Sequence, residues 1–260
     1  MDSLAELERR RAFECRLTSD RALTTLDEAE AFAHDRGLLT RTPDSALPSL
    51  FAACHEEPYR AGAGGFAEWP RTKWQWFALL AERPGLTAVK VHRGKHLLVS
   101  DRIARLLDPI VRAELERLHT ADRECARLLD HLAEAGPSTP EDLRVELGLT
   151  PKELKQLRSL LERCGVLVGY ELEGGLARWD QVFPDPPVGS ADLDDLLVAT
   201  VHAAVVAAEG ELRHWFSWSW LFPDDLVDRL VAAGRIVRPA PAWISGGETP
   251  SPPGREPPGR

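Results

Sequence analysis

The stretch from Asp122 to Phe183 constrains the fold more than any other part of this sequence. A helix runs out at Ala135-Gly136. Thr139 ahead of Pro140 caps a second, short helix that closes at Gly148, and Thr150 ahead of Pro151 caps a third that runs to Cys164-Gly165. Proline just inside the start and glycine just past the end suit a helix in one direction only, so these boundaries also fix its polarity. Two β-prone runs follow, Val166 to Leu172 and Leu176 to Phe183, turning on Glu173-Gly174-Gly175. Three helices and a two-stranded hairpin in this order predict a winged helix-turn-helix.

The flanking sequence predicts weaker copies of that unit. The fold expected is mostly α with small β-hairpins, built of tandem winged helix-turn-helix modules. A lead-in helix is expected over 1–20 and a first module over 21–101. There Thr25-x-x-Glu28 is a capping box with Gly37 as C-cap. A short helix begins at Asp44 or Ser45, and a Gly-rich loop spans Tyr59 to Pro70. A helix from Arg71 to Ala81 puts Trp74 and Phe77 on its apolar stripe and leaves Trp76 off it. Strands Leu86 to Val91 and His96 to Val99 join through His92-Arg93-Gly94-Lys95. Connecting helices broken at Pro109 fill 102–121, and the central module spans 122–183. A C-terminal module spans 188–244, with a return strand shortened by Pro239 and Pro241. Residues 245–260 hold five Pro and four Gly without an apolar side chain, the composition of a disordered tail.

Charge narrows the function. Among 260 residues, 32 Lys and Arg stand against 41 Asp and Glu, a formal −9, which argues against indiscriminate nucleic-acid binding. The average conceals an asymmetry. Residues 60–105 hold nine cations against three carboxylates, and residues 185–234 hold nine carboxylates against two cations. No apolar run approaches the ~18–20 residues of a membrane span, and Glu8-Arg9-Arg10-Arg11 lacks the apolar stretch of an export signal. A cytoplasmic protein that does not engage a membrane is expected. Cys15, Cys54, Cys125 and Cys164 have neither metal-ligand spacing nor the context of a disulfide framework, so neither metal nor cofactor is expected. The P-loop, G-x-S-x-G and H-E-x-x-H motifs are missing.

Two elements carry the chemistry of DNA contact. On the helix from Thr150, the residues Leu154, Leu157, Leu161 and Cys164 share the apolar face. Lys152, Lys155, Gln156, Ser159 and Arg163 are thereby turned outward, the long cationic and polar side chains that reach phosphates and base edges. In the first module, Lys90, His92, Arg93, Lys95 and His96 gather around one glycine, on a tip expected to project beyond the domain body and to bury little. Arg71, Lys73 and Trp76 are the flanking contacts, since an indole beside cations can stack on a base. The plainer alternatives are a solvated helix face and a solubilising edge hairpin. Double-stranded DNA is the expected partner, and a protein partner is the other use of a winged helix. His55, Glu56 and Glu57, at a helix end, are the densest titratable cluster and the candidates for catalysis.

With these elements in order, the chain resembles the AlkZ-like DNA glycosylases, a bacterial family of tandem winged helices. The resemblance spans most of residues 20–245. It rests on the opening Arg21-Ala22-Leu23 helix, the basic module from Trp74 through His92-Arg93-Gly94-Lys95, and the middle and C-terminal modules. It implies a concave, DNA-facing surface shared by three winged helices, and a part in repairing alkylated or cross-linked bases. The family's catalysis depends on a Gln-x-Gln motif in the first module. Here the glutamines are Gln75, Gln156 and Gln181, and the segment Ser49 to Glu56, where the motif is expected, contains none. The expectation is a divergent relative that keeps DNA binding. The alternatives are an active glycosylase in which Glu56 or Glu57 orients the water or stabilises the oxocarbenium-like sugar, and a protein-interaction module.

Overall fold

The computed structural model describes residues 2–60, 69–170, 174–185 and 192–247. Helix α1 (Leu4–Glu14) precedes α2 (Leu26–Arg36), whose Thr25–Glu28 capping box and left-handed Gly37 C-cap sit where the sequence puts them. Strand β1 (Leu38–Thr40), helices α3 (Leu50–Cys54) and α4 (Trp76–Ala81), and strands β2 (Leu86–His92) and β3 (Lys95–Ser100) complete the first segment. Helix α5 (Asp101–Ala121) leads to α6 (Arg123–Ala135), α7 (Pro140–Glu146), α8 (Pro151–Arg163), β4 (Leu167–Gly169), β5 (Leu176–Arg178) and the single turn α9 (Trp179–Val182). The last segment is α10 (Leu193–Ala204), β6 (Val206–Ala208), α11 (Leu212–Trp215), α12 (Leu226–Ala232), β7 (Ile236–Ala240) and β8 (Trp243–Gly246).

One topology recurs. The first and last segments each run helix, strand, helix, helix, strand, strand, with antiparallel sheets ordered β1-β3-β2 and β6-β8-β7. The middle segment keeps the three helices and the β4–β5 hairpin, and reduces the first strand to one bridge between Ser138 and Leu176.

The first sheet is buried on both faces. Leu39, Leu86, Ala88 and Leu98 pack with Phe32, Phe51, Phe77 and Leu80 in the first segment's own core. Leu38, Val89, Val91, Leu97 and Val99 face a larger core that includes Leu107, Leu128, Leu161, Trp215 and Trp218 from the rest of the chain. A strand reading Leu97-Leu98-Val99 supplies apolar side chains to two cores and offers none to solvent.

Several elements differ from expectation. Residues 42–48 form a loop, because Pro48 cannot donate inside a helix. Helix α3 instead starts at Leu50, where the Ser49 hydroxyl accepts from the Ala52 amide. Residues 71–75 are turns, held there by the Glu56 carboxylate, which accepts from the Thr72 and Lys73 amides at 2.9 and 3.1 Å. The Arg71–Ala81 stripe is lost with them, and the two indoles exchange places. Trp74 is 40% exposed, while Trp76 packs on the first core with the Lys73 ammonium 5.2 Å from its ring. Pro109 lies inside an unbroken α5. The break falls at Asp122, whose carboxylate caps α6. Strand β8 runs through Gly246 with Ser245 buried, so no tail begins at 245, and Pro239 is accommodated at a register shift between Val237 and Ala240. Residues 248–260, residues 61–68 of the expected Gly-rich loop, residues 171–173 at the end of the expected strand from Val166 and the start of its turn, and the linker and module start over 186–191 lie outside the described residues.

All four cysteines are buried free thiols, and burial pushes Cys54 and Cys164 up to about 12. No helix among the described residues is long and apolar enough to cross a membrane.

Candidate nucleic-acid interface

Helix α8 is the element around which the site is built. The Thr150 hydroxyl accepts from the Glu153 amide at 3.3 Å, and the Glu153 carboxylate accepts from the Thr150 amide at 2.8 Å. Leu154 and Leu161 are buried and Leu157 only half-buried, so the apolar face is narrower than the sequence pattern suggests. Lys152, Lys155, Gln156, Ser159 and Arg163 are all exposed.

The β2–β3 hairpin does not project, which corrects the expectation for its tip. Arg93 and Gly94 both adopt left-handed backbone, φ +53° and +71°, the geometry of a two-residue turn that twists with its strands. This turn is wedged into the molecule. His92 is fully buried, with Nδ1 2.6 Å from the Trp215 carbonyl and Nε2 3.2 Å from an Asp44 oxygen. Arg93 Nε donates to the His214 carbonyl at 2.7 Å, and the Ser217 amide donates to the Val91 carbonyl at 2.7 Å. Lys95 pairs with Asp44. A Cβ on Gly94 would stand 3.2 Å from Arg163 Cγ, so glycine permits the close approach to α8.

Burial drives the His92 pKa below its ordinary value, against the Trp215 carbonyl and Asp44, which favour the proton. Burial acts to raise Asp44, but Lys95, by hydrogen bond and charge, and His92, once its ring carries a second proton, prevail and hold it below the usual carboxylate range. His92 is therefore out of reach of a ligand. Arg93 and Lys95, although exposed, direct donors at the protein itself.

Wedging the hairpin against α8 leaves a cleft of about 860 Å³. Lys90 and Gly94 form the hairpin wall, Thr139, Pro140, Glu141 and Arg144 form the α7 wall, and Leu154, Lys155, Arg158, Ser159, Glu162 and Arg163 line the α8 side. Five cations meet two carboxylates there, in a chain of net charge −9. Glu162 accepts from Lys90 Nζ at 2.9 Å and from an Arg158 guanidinium nitrogen at 3.0 Å, and Arg144 pairs with Glu141. Lys155 and Arg163 have no ion pair among the described residues.

The structure thus brings Lys90, Lys155, Ser159 and Arg163 to one cleft. It leaves the other candidates elsewhere. Lys152 is exposed near the start of α8, and Gln156 sits on the helix's other flank with Leu157 and Leu160. Arg71 is 3.9 Å from Glu57, Lys73 Nζ donates to the Leu23 carbonyl at 2.7 Å, and His96 lies beside the Phe77 ring; with Trp76, these belong to the first segment. The sequence reading missed Arg144, Arg158 and Glu162. The Arg158–Glu162 spacing of four residues is a legible helix pair, whereas the approach of Lys90 across 72 residues has no local signal.

His55, Glu56 and Glu57 do not line the cleft. His55 closes α3 in left-handed backbone, with Nε2 2.7 Å from the Arg16 carbonyl. Burial tends to raise Glu56, but the Thr72 hydroxyl and the Thr72 and Lys73 amides outweigh it and hold the carboxyl below its usual range. Glu57 is 84% exposed. No group of three or more His, Cys, Asp or Glu side chains among the described residues is placed to hold a metal. Compared with known proteins, the chain matches no family model, no curated protein and no solved structure.

Proposed function

We propose that the three segments are winged helices and that the chain is a double-stranded-DNA-binding protein, a divergent relative of the AlkZ-like DNA glycosylases, holding a duplex along α8 and the hairpin wall. The observation that carries this reading is the convergence of cations from two segments on one open cleft in an acidic chain. A duplex presents a line of phosphates to such a cleft, and the acidic remainder repels it elsewhere. Lys152, Gln156 and Ser159 on the exposed face of α8 supply donors for base edges.

The role is recognition without base excision. Glu56 does not line the cleft, and its carboxylate is taken up by the Thr72 hydroxyl and the Thr72 and Lys73 amides, so it is not placed to orient water or stabilise a sugar in a duplex held there. Fluorescence anisotropy with a short duplex, titrated from about 50 to 300 mM salt, tests the reading. Tight binding at low salt that falls steeply is expected, with a slope of log K against log salt reduced by about 1.8 in the Lys155→Ala/Arg163→Ala protein. A double variant that binds like the wild type contradicts it.

A protein-docking role is the second reading, favoured by a groove of about 380 Å³ on the other flank of α8. Leu149, Leu157 and the 40% exposed Leu160 form its floor, and Asp122, Glu124 and Glu153 its rim. Folded protein that binds no duplex at low salt makes this the better account.

A further inference from the structure

We infer that Glu162 is a positioning residue of the cleft, sorting four of its five cations into a pair that fastens hairpin to helix and a pair that meets phosphate, while Arg144 stays paired with Glu141. The inference rests on the DNA-binding reading above. Glu162 is buried on α8, and its two oxygens are divided between two segments: one accepts from Arg158 on its own helix, the other from Lys90 on the hairpin. Lys90 and Arg158 are correspondingly withdrawn, their side chains only 28% and 29% exposed. A phosphate that captured either one would leave a desolvated carboxylate short of a partner, which is strongly unfavourable. These two cations therefore set the separation of the cleft's walls and release no counterions on binding. Lys155 and Arg163, exposed and without an ion pair among the described residues, are the ones that do. Glu162 itself touches no ligand. It acts by fixing where the two walls stand.

Salt dependence separates the two groups, because each phosphate neutralised contributes about 0.9 to the slope of log K against log salt. The experiment measures duplex binding by the full chain and by single variants shown to unfold cooperatively. Lys155→Ala and Arg163→Ala should each lower the slope by about 0.9. Lys90→Ala and Arg158→Ala should weaken binding by a similar factor at every salt concentration and leave the slope in place. Glu162→Gln should steepen the slope, because the cations it neutralised become available to phosphate. If Glu162→Gln does not fold, the four cation variants decide alone. A slope lowered as much by Lys90→Ala or Arg158→Ala as by Lys155→Ala overturns the sorting, and so does a folded Glu162→Gln protein that binds more weakly with no steeper slope. Wild-type protein that binds no duplex overturns the DNA reading itself, and this inference with it.

Discussion

His92 joins two distant parts of the chain through one ring. A neutral imidazole has a single N–H, and the 2.6 Å approach to the Trp215 carbonyl claims it at Nδ1. The Nε2 contact with Asp44 becomes a hydrogen bond only with a second proton, which burial resists. A histidine depressed in this way binds fewer protons folded than unfolded. Its contribution to stability is full above about pH 6.5 and is lost as pH falls through the folded value. Asp44, also depressed, contributes fully above its ordinary value near 3.8 and loses that contribution below it. Melting temperature should therefore fall in two steps on acidification. His92→Gln should shrink the first step, which the half-buried His202 shares, and Asp44→Asn should remove its part of the second. A His92→Gln profile identical to wild type contradicts the assignment. The charge at the tip was visible in the sequence, but its partners were not. Asp44 lies 48 residues away and Trp215 lies 123, and no local pattern links them.

Helix α8 was legible because its signals are local: Thr150, Pro151 and Glu153 mark its start, and leucines mark its inner face. The exact rotation was less so. Leu161 is fully buried and Leu157 is not, so Leu161→Ala should destabilise by about 2–5 kcal/mol, Leu157→Ala by about 1 kcal/mol, and Lys155→Ala by less than about 0.5 kcal/mol. Chemical denaturation orders them, and equal losses at 155 and 161 would refute this orientation. Strand β1 escaped notice because three residues after a C-cap glycine are too few to show alternation. The start of α4 was misplaced because Glu56, remote in sequence, holds Thr72 and Lys73 in a turn. The buried hairpin was signalled after all, in Leu97-Leu98-Val99, whose lack of alternation marks a strand covered on both faces.

At the scale of the molecule, a hairpin that looks like an appendage is an interlock. Its tip meets the first segment's own loop through Asp44, the last segment through Trp215 and Ser217, and α8 through Gly94. Replacing Arg93 and Lys95 together by Ala should destabilise the protein by about 1–2 kcal/mol, more than a free turn would lose. A denaturation midpoint unchanged in that variant would mean the tip is held by other contacts. The repeated topology was clear only in the middle segment. In the last it was obscured by Pro239, which β7 absorbs at a bulge.

Hairpin and α8, from two segments, are proposed to present one face to a duplex. Hydrogen exchange with and without a short duplex at low salt addresses this most directly. New protection is expected in the first turn of α7, along α8 and at Gly94-Lys95, with Arg71 to Trp76 exchanging as before. Protection confined to Arg71–Trp76, or to the Leu157–Leu160 flank, would contradict it.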